Sequence, residues 1–131
     1  MTRAYVLKTI DKFARKKHIK VYFNSENVGR NKGETTGDVI YFGRFTNNEY
    51  LLIAFFHEYA HCALRHKIPG QVKGYHWNNT TQMQYEIQIT MAGLNFAQKN
   101  GIIFSNKAVK WLLTENFSYI TDKFSGPLAK R

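Results

Sequence analysis

Two histidines one helical turn apart, with a glutamate directly after the first, stand in the segment His57-Glu58-Tyr59-Ala60-His61. On a helix, positions i and i+4 share a face, so two imidazoles at this spacing can hold one metal ion while the intervening glutamate faces the water it binds. The chemistry this pattern supports is hydrolysis by a metal-activated water, with Glu58 as the general base that takes the proton.

A metal that does chemistry takes three protein ligands and keeps a fourth position for water. Downstream of the motif the candidates for the third ligand are His66, His76, Glu86, Glu115 and Asp122. His66 points away from the motif face, and Glu115 shares a polar face with Lys107, Lys110 and Thr114, so both read as surface residues. On a helical wheel for 83–98, Glu86 falls in an apolar sector with Met83, Ile87, Ile89, Leu94 and Ala97, while Gln84, Gln88, Asn95 and Lys99 gather opposite. It is a carboxylate on the buried side. Glu86, Thr90, Gly93 and Ala97 form a stripe whose small members permit close helix approach, which would bring the carboxylate to a metal; a core glutamate paired with Arg65 or a hydroxyl is the other reading. His76, in the segment Gly74-Tyr75-His76-Trp77, competes as third ligand, or serves as a donor to a developing oxyanion, a role for which Tyr75, Tyr85 and Arg65 also qualify.

These side chains need elements to position them. On a wheel for 51–66 the apolar residues spread over most of the circumference, which predicts a helix buried nearly all round, and His57, Glu58, His61 and Arg65 make one polar stripe interrupted only by Ala54. Thr46 followed by Glu49 reads as a capping box opening this helix, which ends before Pro69-Gly70. Asn79 with Gln82 repeats the signature before a helix through about Gln98 that Asn100-Gly101 terminates. Ser105 or Asn106 caps a last helix through about Ile120. Upstream, residues 3–17 read as an amphipathic helix, with Lys8, Lys12 and Lys16 opposite Leu7, Ile10 and Ala14. Ile19–Phe23 and Asp38–Gly43 read as strands, and the polar, glycine-containing stretch Asn24–Gly37 as a mobile loop. The strand Asp38–Gly43, just before the motif helix, is a candidate edge for an extended substrate, with the loop as its cover. The pattern predicts an α+β domain: a small sheet packed against a buried motif helix and two or three further helices.

With 131 residues, 44% of them apolar and 15% aromatic, the chain fills one core, expected over 1–124, with 125–131 as a disordered tail. Cys62 is the single cysteine, which excludes an internal disulfide framework, and no secretory signal or membrane-length apolar run is seen; a cytoplasmic location is expected. The net charge is +10, and residues 1–33 carry nine basic and two acidic side chains, +7 of that excess. Lys8, Lys12, Arg15 and Lys16 are the candidate contacts to DNA or an acidic protein partner, although no helix-turn-helix, zinc-finger or RNA-binding pattern accompanies them.

The run from His57 through His61, continued by Cys62-Ala63-Leu64-Arg65-His66 and followed by a glutamate on a second helix, resembles the ImmA/IrrE-type zinc metallopeptidases over roughly Glu49–Ala97. The resemblance implies a minimal zincin-like fold of gluzincin type, one zinc ion per chain, His57, His61 and Glu86 as its ligands and Glu58 as general base. It also implies a protein substrate such as a repressor, and a phage or mobile-element setting in which the host cytoplasm is the site of action. The chain departs from the family three and four residues after Glu86, where Ile89 and Thr90 replace the usual alanine and the asparagine or aspartate. A weaker resemblance is to SprT-like proteases linked to DNA, on His76-Trp77, without their usual His-Gly or cysteine zinc ribbon; it would make His76 the third ligand. Two non-enzymatic readings stand beside these: a binding module whose zinc is structural, and a nucleic-acid-binding protein using residues 1–33.

Overall fold

The computed structural model describes the backbone over residues 1–64 and 79–123 and side chains over 1–64 and 84–116. The elements run α1 (Arg3–Lys16), β1 (Lys20–Tyr22), β2 (Gly33–Thr36), β3 (Val39–Phe42), α2 (Asn48–Leu64), α3 (Asn79–Lys99) and α4 (Asn106–Lys123). Among the described residues, four helices and a three-stranded mixed sheet make a small α+β domain.

Helix α2, the predicted motif helix, is the centre of the fold. Every residue from Leu51 to Ala60 is buried, as expected of a helix apolar on all sides. On one side α1 lays Val6, Ile10 and Phe13 against it, together with Ile40 and Phe42 of the sheet. On others it meets Ala108 and Leu112 of α4 through Ile53, and Tyr85 and Ile89 of α3 through Ala60. Phe13, Phe56 and Phe96 contact one another edge-on or tilted with centroids 5.4 to 5.9 Å apart, joining α1, α2 and α3. The amphipathic reading of α1 holds for Ile10 and Ala14, but Leu7 is exposed, as are Phe23 after β1 and Ile87 on α3, three apolar residues expected to face the core.

The stretch Asn24–Gly37 is not wholly loop. Its last residues form β2, which pairs antiparallel with β3 from Gly33 opposite Phe42 to Thr36 opposite Val39, joined by a two-residue turn in which Gly37 has φ +61°. β1 pairs parallel with the other side of β3, giving the order β1-β3-β2. The strand expected over Asp38–Gly43 is therefore the central one, with both sides occupied, and cannot offer the substrate edge; the edge beside α2 belongs to β2. The sequence Gly-Glu-Thr-Thr has no apolar alternation and so gives no periodic signal.

The cap of α2 also differs from expectation. Asn47, not Thr46, accepts the Tyr50 N–H on its side-chain oxygen at 3.0 Å. Glu49 reaches instead to α4, accepting the Ser105 N–H at 2.9 Å and the Ser105 hydroxyl at 2.7 Å, while Ser105 Oγ caps Ala108 N–H at 3.2 Å. The expected end of α3 is present: Gly101 has φ +77° and Ile102 N–H returns to Ala97 O at 2.9 Å. Helix α3 begins at Asn79 as expected, while the side chains of the proposed Asn79 and Gln82 cap, the continuation of α2 toward His66 and the tail 125–131 lie outside the described residues.

Candidate metal centre

The HExxH spacing on α2 puts His57, Glu58 and His61 on one side of the helix, facing β2 and α3. Whether a third ligand can join them depends on how closely α3 approaches. A Cβ built on Gly93 would lie 2.6 Å from Phe56 O and 3.3 Å from His57 N, so the helix backbones meet where only hydrogen fits. Ala97 and Thr90, from the same small-residue stripe, are buried in that contact. Two turns before Gly93 the stripe carries Glu86, whose carboxylate the close approach delivers to the histidines.

His57 Nε2 and His61 Nε2 lie 3.2 Å apart, and Glu86 Oε2 lies 3.3 Å from the first and 3.7 Å from the second. Ligand atoms held about 2.0–2.1 Å from a tetrahedral cation stand about 3.3–3.4 Å from one another, so the three atoms fit one face of such a tetrahedron. These residues could hold a metal ion. Burial alone would raise the Glu86 carboxyl, but hydrogen bonds and charge from His57 and His61 outweigh it and hold the group at about 2. For His61, burial pulls the imidazole down, while the Glu86 hydrogen bond and the charges of Glu58 and Glu86 pull it up, with a net rise.

Each remaining ring nitrogen has a partner. An imidazole that gives its Nε2 lone pair to a cation carries hydrogen on Nδ1, and that hydrogen needs an acceptor. For His61 it is the Tyr85 hydroxyl at 2.9 Å. For His57 it is Thr90 Oγ1 at 3.3 Å, which also accepts from the Asn116 amide of α4 at 3.1 Å. Tyr85, considered as an oxyanion donor, thus sits behind His61; burial first, then the negative charges of Glu86 and Glu58, raise its hydroxyl pKa.

Glu58 is buried, and Thr35 of β2 donates its hydroxyl to Glu58 Oε2. A Cβ on Gly33 would stand 2.8 Å from the Phe42 ring and 3.4 Å from Glu58 Cγ, so β2 too is drawn close by a glycine. His57, His61, Glu86 and Glu58 line a cleft of about 440 Å³ whose far wall is β2 and the loop Asn27–Gly29.

Sequence reasoning named His57, Glu58, His61 and Glu86, and the structure brings all four together. Arg65, Tyr75 and His76 lie outside the described residues. Lys8, Lys12, Arg15 and Lys16 are exposed on α1, remote from these residues in sequence, with Arg15 paired to Asp11 at 2.9 Å and the Lys12 and Lys16 ammoniums 5.5 and 5.4 Å from the Phe13 ring centre. Sequence reasoning missed Thr35, and with it β2, although Gly37-Asp38 is itself a hairpin signal. It placed Thr90 on the stripe without a role, and had no signal for Asn116.

Compared with known proteins, the chain matches no protein-family model and has no significant match among curated proteins or solved structures.

Proposed function

We propose that the chain is a zinc-dependent peptidase of the HExxH type that cuts a protein substrate, with Glu58 as general base. The observation that carries this reading is the convergence of His57 Nε2, His61 Nε2 and Glu86 Oε2 from two helices, with Glu58 on the same cleft. Two imidazoles and one carboxylate are a donor set suited to zinc with an open fourth position, whereas purely structural zinc sites favour four protein ligands. Zinc bound there would supply a Lewis acid that lowers the pKa of water from about 16 to about 7 and polarises a carbonyl.

The chain's own residues then divide the work. Glu58 accepts the proton of the attacking water on a carboxylate that Thr35 holds toward the cleft, and returns it to the leaving amine. Thr90 and Tyr85 fix the two imidazoles in the orientation the ligand face needs. An extended substrate would pair with the open side of β2 by backbone hydrogen bonds.

Metal content after dialysis tests the ligand set: wild type is expected to retain one zinc per chain, and His61→Ala and Glu86→Ala to lose it. Full retention by Glu86→Ala would remove Glu86 as a ligand and return the third place to His76. Glu58→Gln should keep the zinc and the fold and lose hydrolysis of an unfolded protein substrate, because an amide cannot take the water's proton. Undiminished hydrolysis would overturn the mechanism.

A further inference from the structure

A second concavity lies away from the metal-ligand residues, between the first half of α1 and the ends of β1 and β3. It encloses about 640 Å³, within the range of about 300–1,000 Å³ usual for ligand clefts. Its floor is apolar, with Phe45 and Leu51 buried beneath it. Its walls include Leu7 and Phe23, each 39% exposed although large and apolar. Two guanidiniums belong to the same lining, Arg3 and Arg44, and no carboxylate among the described residues does.

Two of the lining residues are held before anything binds. Phe23 stacks on Phe42 with ring centres 6.0 Å apart, and Arg3 Nη2 donates to Phe45 O, which leaves further N–H groups of that guanidinium for a guest. Arg44 is exposed and makes no ion pair among the described residues. Two cations beside exposed apolar walls ask for a guest that supplies both negative charge and apolar surface. We infer that this groove docks an acidic peptide segment of a partner protein, seating bulky apolar side chains on Leu7 and Phe23 and pairing carboxylates with Arg3 and Arg44.

Other occupants fit less well. A second copy of a chain with net charge +10 is repelled, and the chain's own segment Ser-Gly-Pro-Leu-Ala-Lys-Arg over 125–131 brings two more positively charged side chains and no acidic one. A nucleic-acid backbone would satisfy the arginines but offers nothing aliphatic to cover Leu7. Docking here is independent of zinc and of hydrolysis.

Fluorescence anisotropy with a labelled peptide, a central Leu-Phe pair flanked on both sides by glutamates, tests the groove at about 0.15 M salt. Two control probes are the same peptide with Ala-Ala at its centre and an oligothymidine. The wild type should bind the Leu-Phe peptide more tightly than the Ala-Ala peptide, and any oligothymidine binding should fall on replacing Lys8, Lys12 and Lys16 by Gln rather than on Arg44→Glu. Arg44→Glu should weaken binding by about tenfold and Leu7→Ser by about threefold. Lys8, Lys12 and Lys16 replaced together by Gln should change it less than Arg44→Glu does. His61→Ala should bind as wild type does, which separates a failure here from a failure of the peptidase reading. Thermal melting confirms that each variant is folded, and Arg44→Gln serves if the charge reversal is not. Equal affinity for the Ala-Ala peptide, oligothymidine binding that Arg44→Glu weakens more than the lysine replacement does, indifference to Arg44, or no binding at millimolar peptide would each overturn the proposal.

Discussion

The hydroxyl of Thr90 stands four residues after Glu86 and takes the Nδ1 hydrogen of His57, a task that carboxylates perform in many metal sites. A neutral acceptor that also takes a hydrogen bond from the Asn116 amide raises the basicity of the imidazole less than a carboxylate would. Thr90→Val is expected to weaken zinc binding by about 10–100-fold, measured by competition with a chromophoric chelator, with Thr90→Ser restoring most of it. The metal-free site also sets a pH dependence. Glu86, held at about 2 from an ordinary value of 4.5, stabilises the folded chain above the ordinary value and loses that contribution as pH falls toward 2. His61, raised above 6.5, contributes fully below 6.5 and loses its contribution as pH rises through the folded value. Thermal melts of the metal-free protein should therefore show greatest stability from about 4.5 to 6.5. Because a cation displaces the His61 proton, added zinc should raise the melting temperature more as pH climbs past that window. At this scale the sequence was readable where chemistry demands rigid spacing, as at His57, Glu58 and His61. It was silent on Asn116, whose partner lies 26 positions away on another helix.

Helix α3 delivers Glu86 only because it rests directly on α2. Gly93→Ala forces a methyl to within 2.6 Å of the Phe56 carbonyl oxygen, so the helices must separate. The expected result is a loss of about 1–3 kcal/mol in chemical denaturation together with weakened zinc binding, whereas Ala97→Gly should cost stability with a smaller effect on zinc. That contact was legible as a small-residue stripe, and the burial of α2 as a helix apolar all round. The α2 cap was not, because Glu49 matches the capping-box pattern yet spends its carboxylate on Ser105 of α4. Sequence periodicity reports which face an element buries; it carries little about which distant backbone group a polar side chain will choose.

Over the whole molecule, charge is the dominant surface feature, and α1 presents Lys8, Lys12 and Lys16 to solvent. We propose that this face attracts acidic partners or DNA at long range. Replacing the three lysines by Gln should flatten the salt dependence of binding to DNA and leave zinc content unchanged. Binding unaltered across a salt titration would reduce the face to a contribution to solubility. The same excess of charge bears on the sheet, whose outer strand β2 leaves one row of backbone N–H and C=O groups beside the cleft without a strand neighbour among the described residues. Such an edge is a template for other chains and a common start of aggregation. Here it is four residues long, with exposed Glu34 and Thr36 and no aliphatic side chain, on a molecule whose copies repel one another. The polarity that hides β2 from hydrophobic patterning is also what lets this strand edge stay open in a crowded solution without pairing to itself.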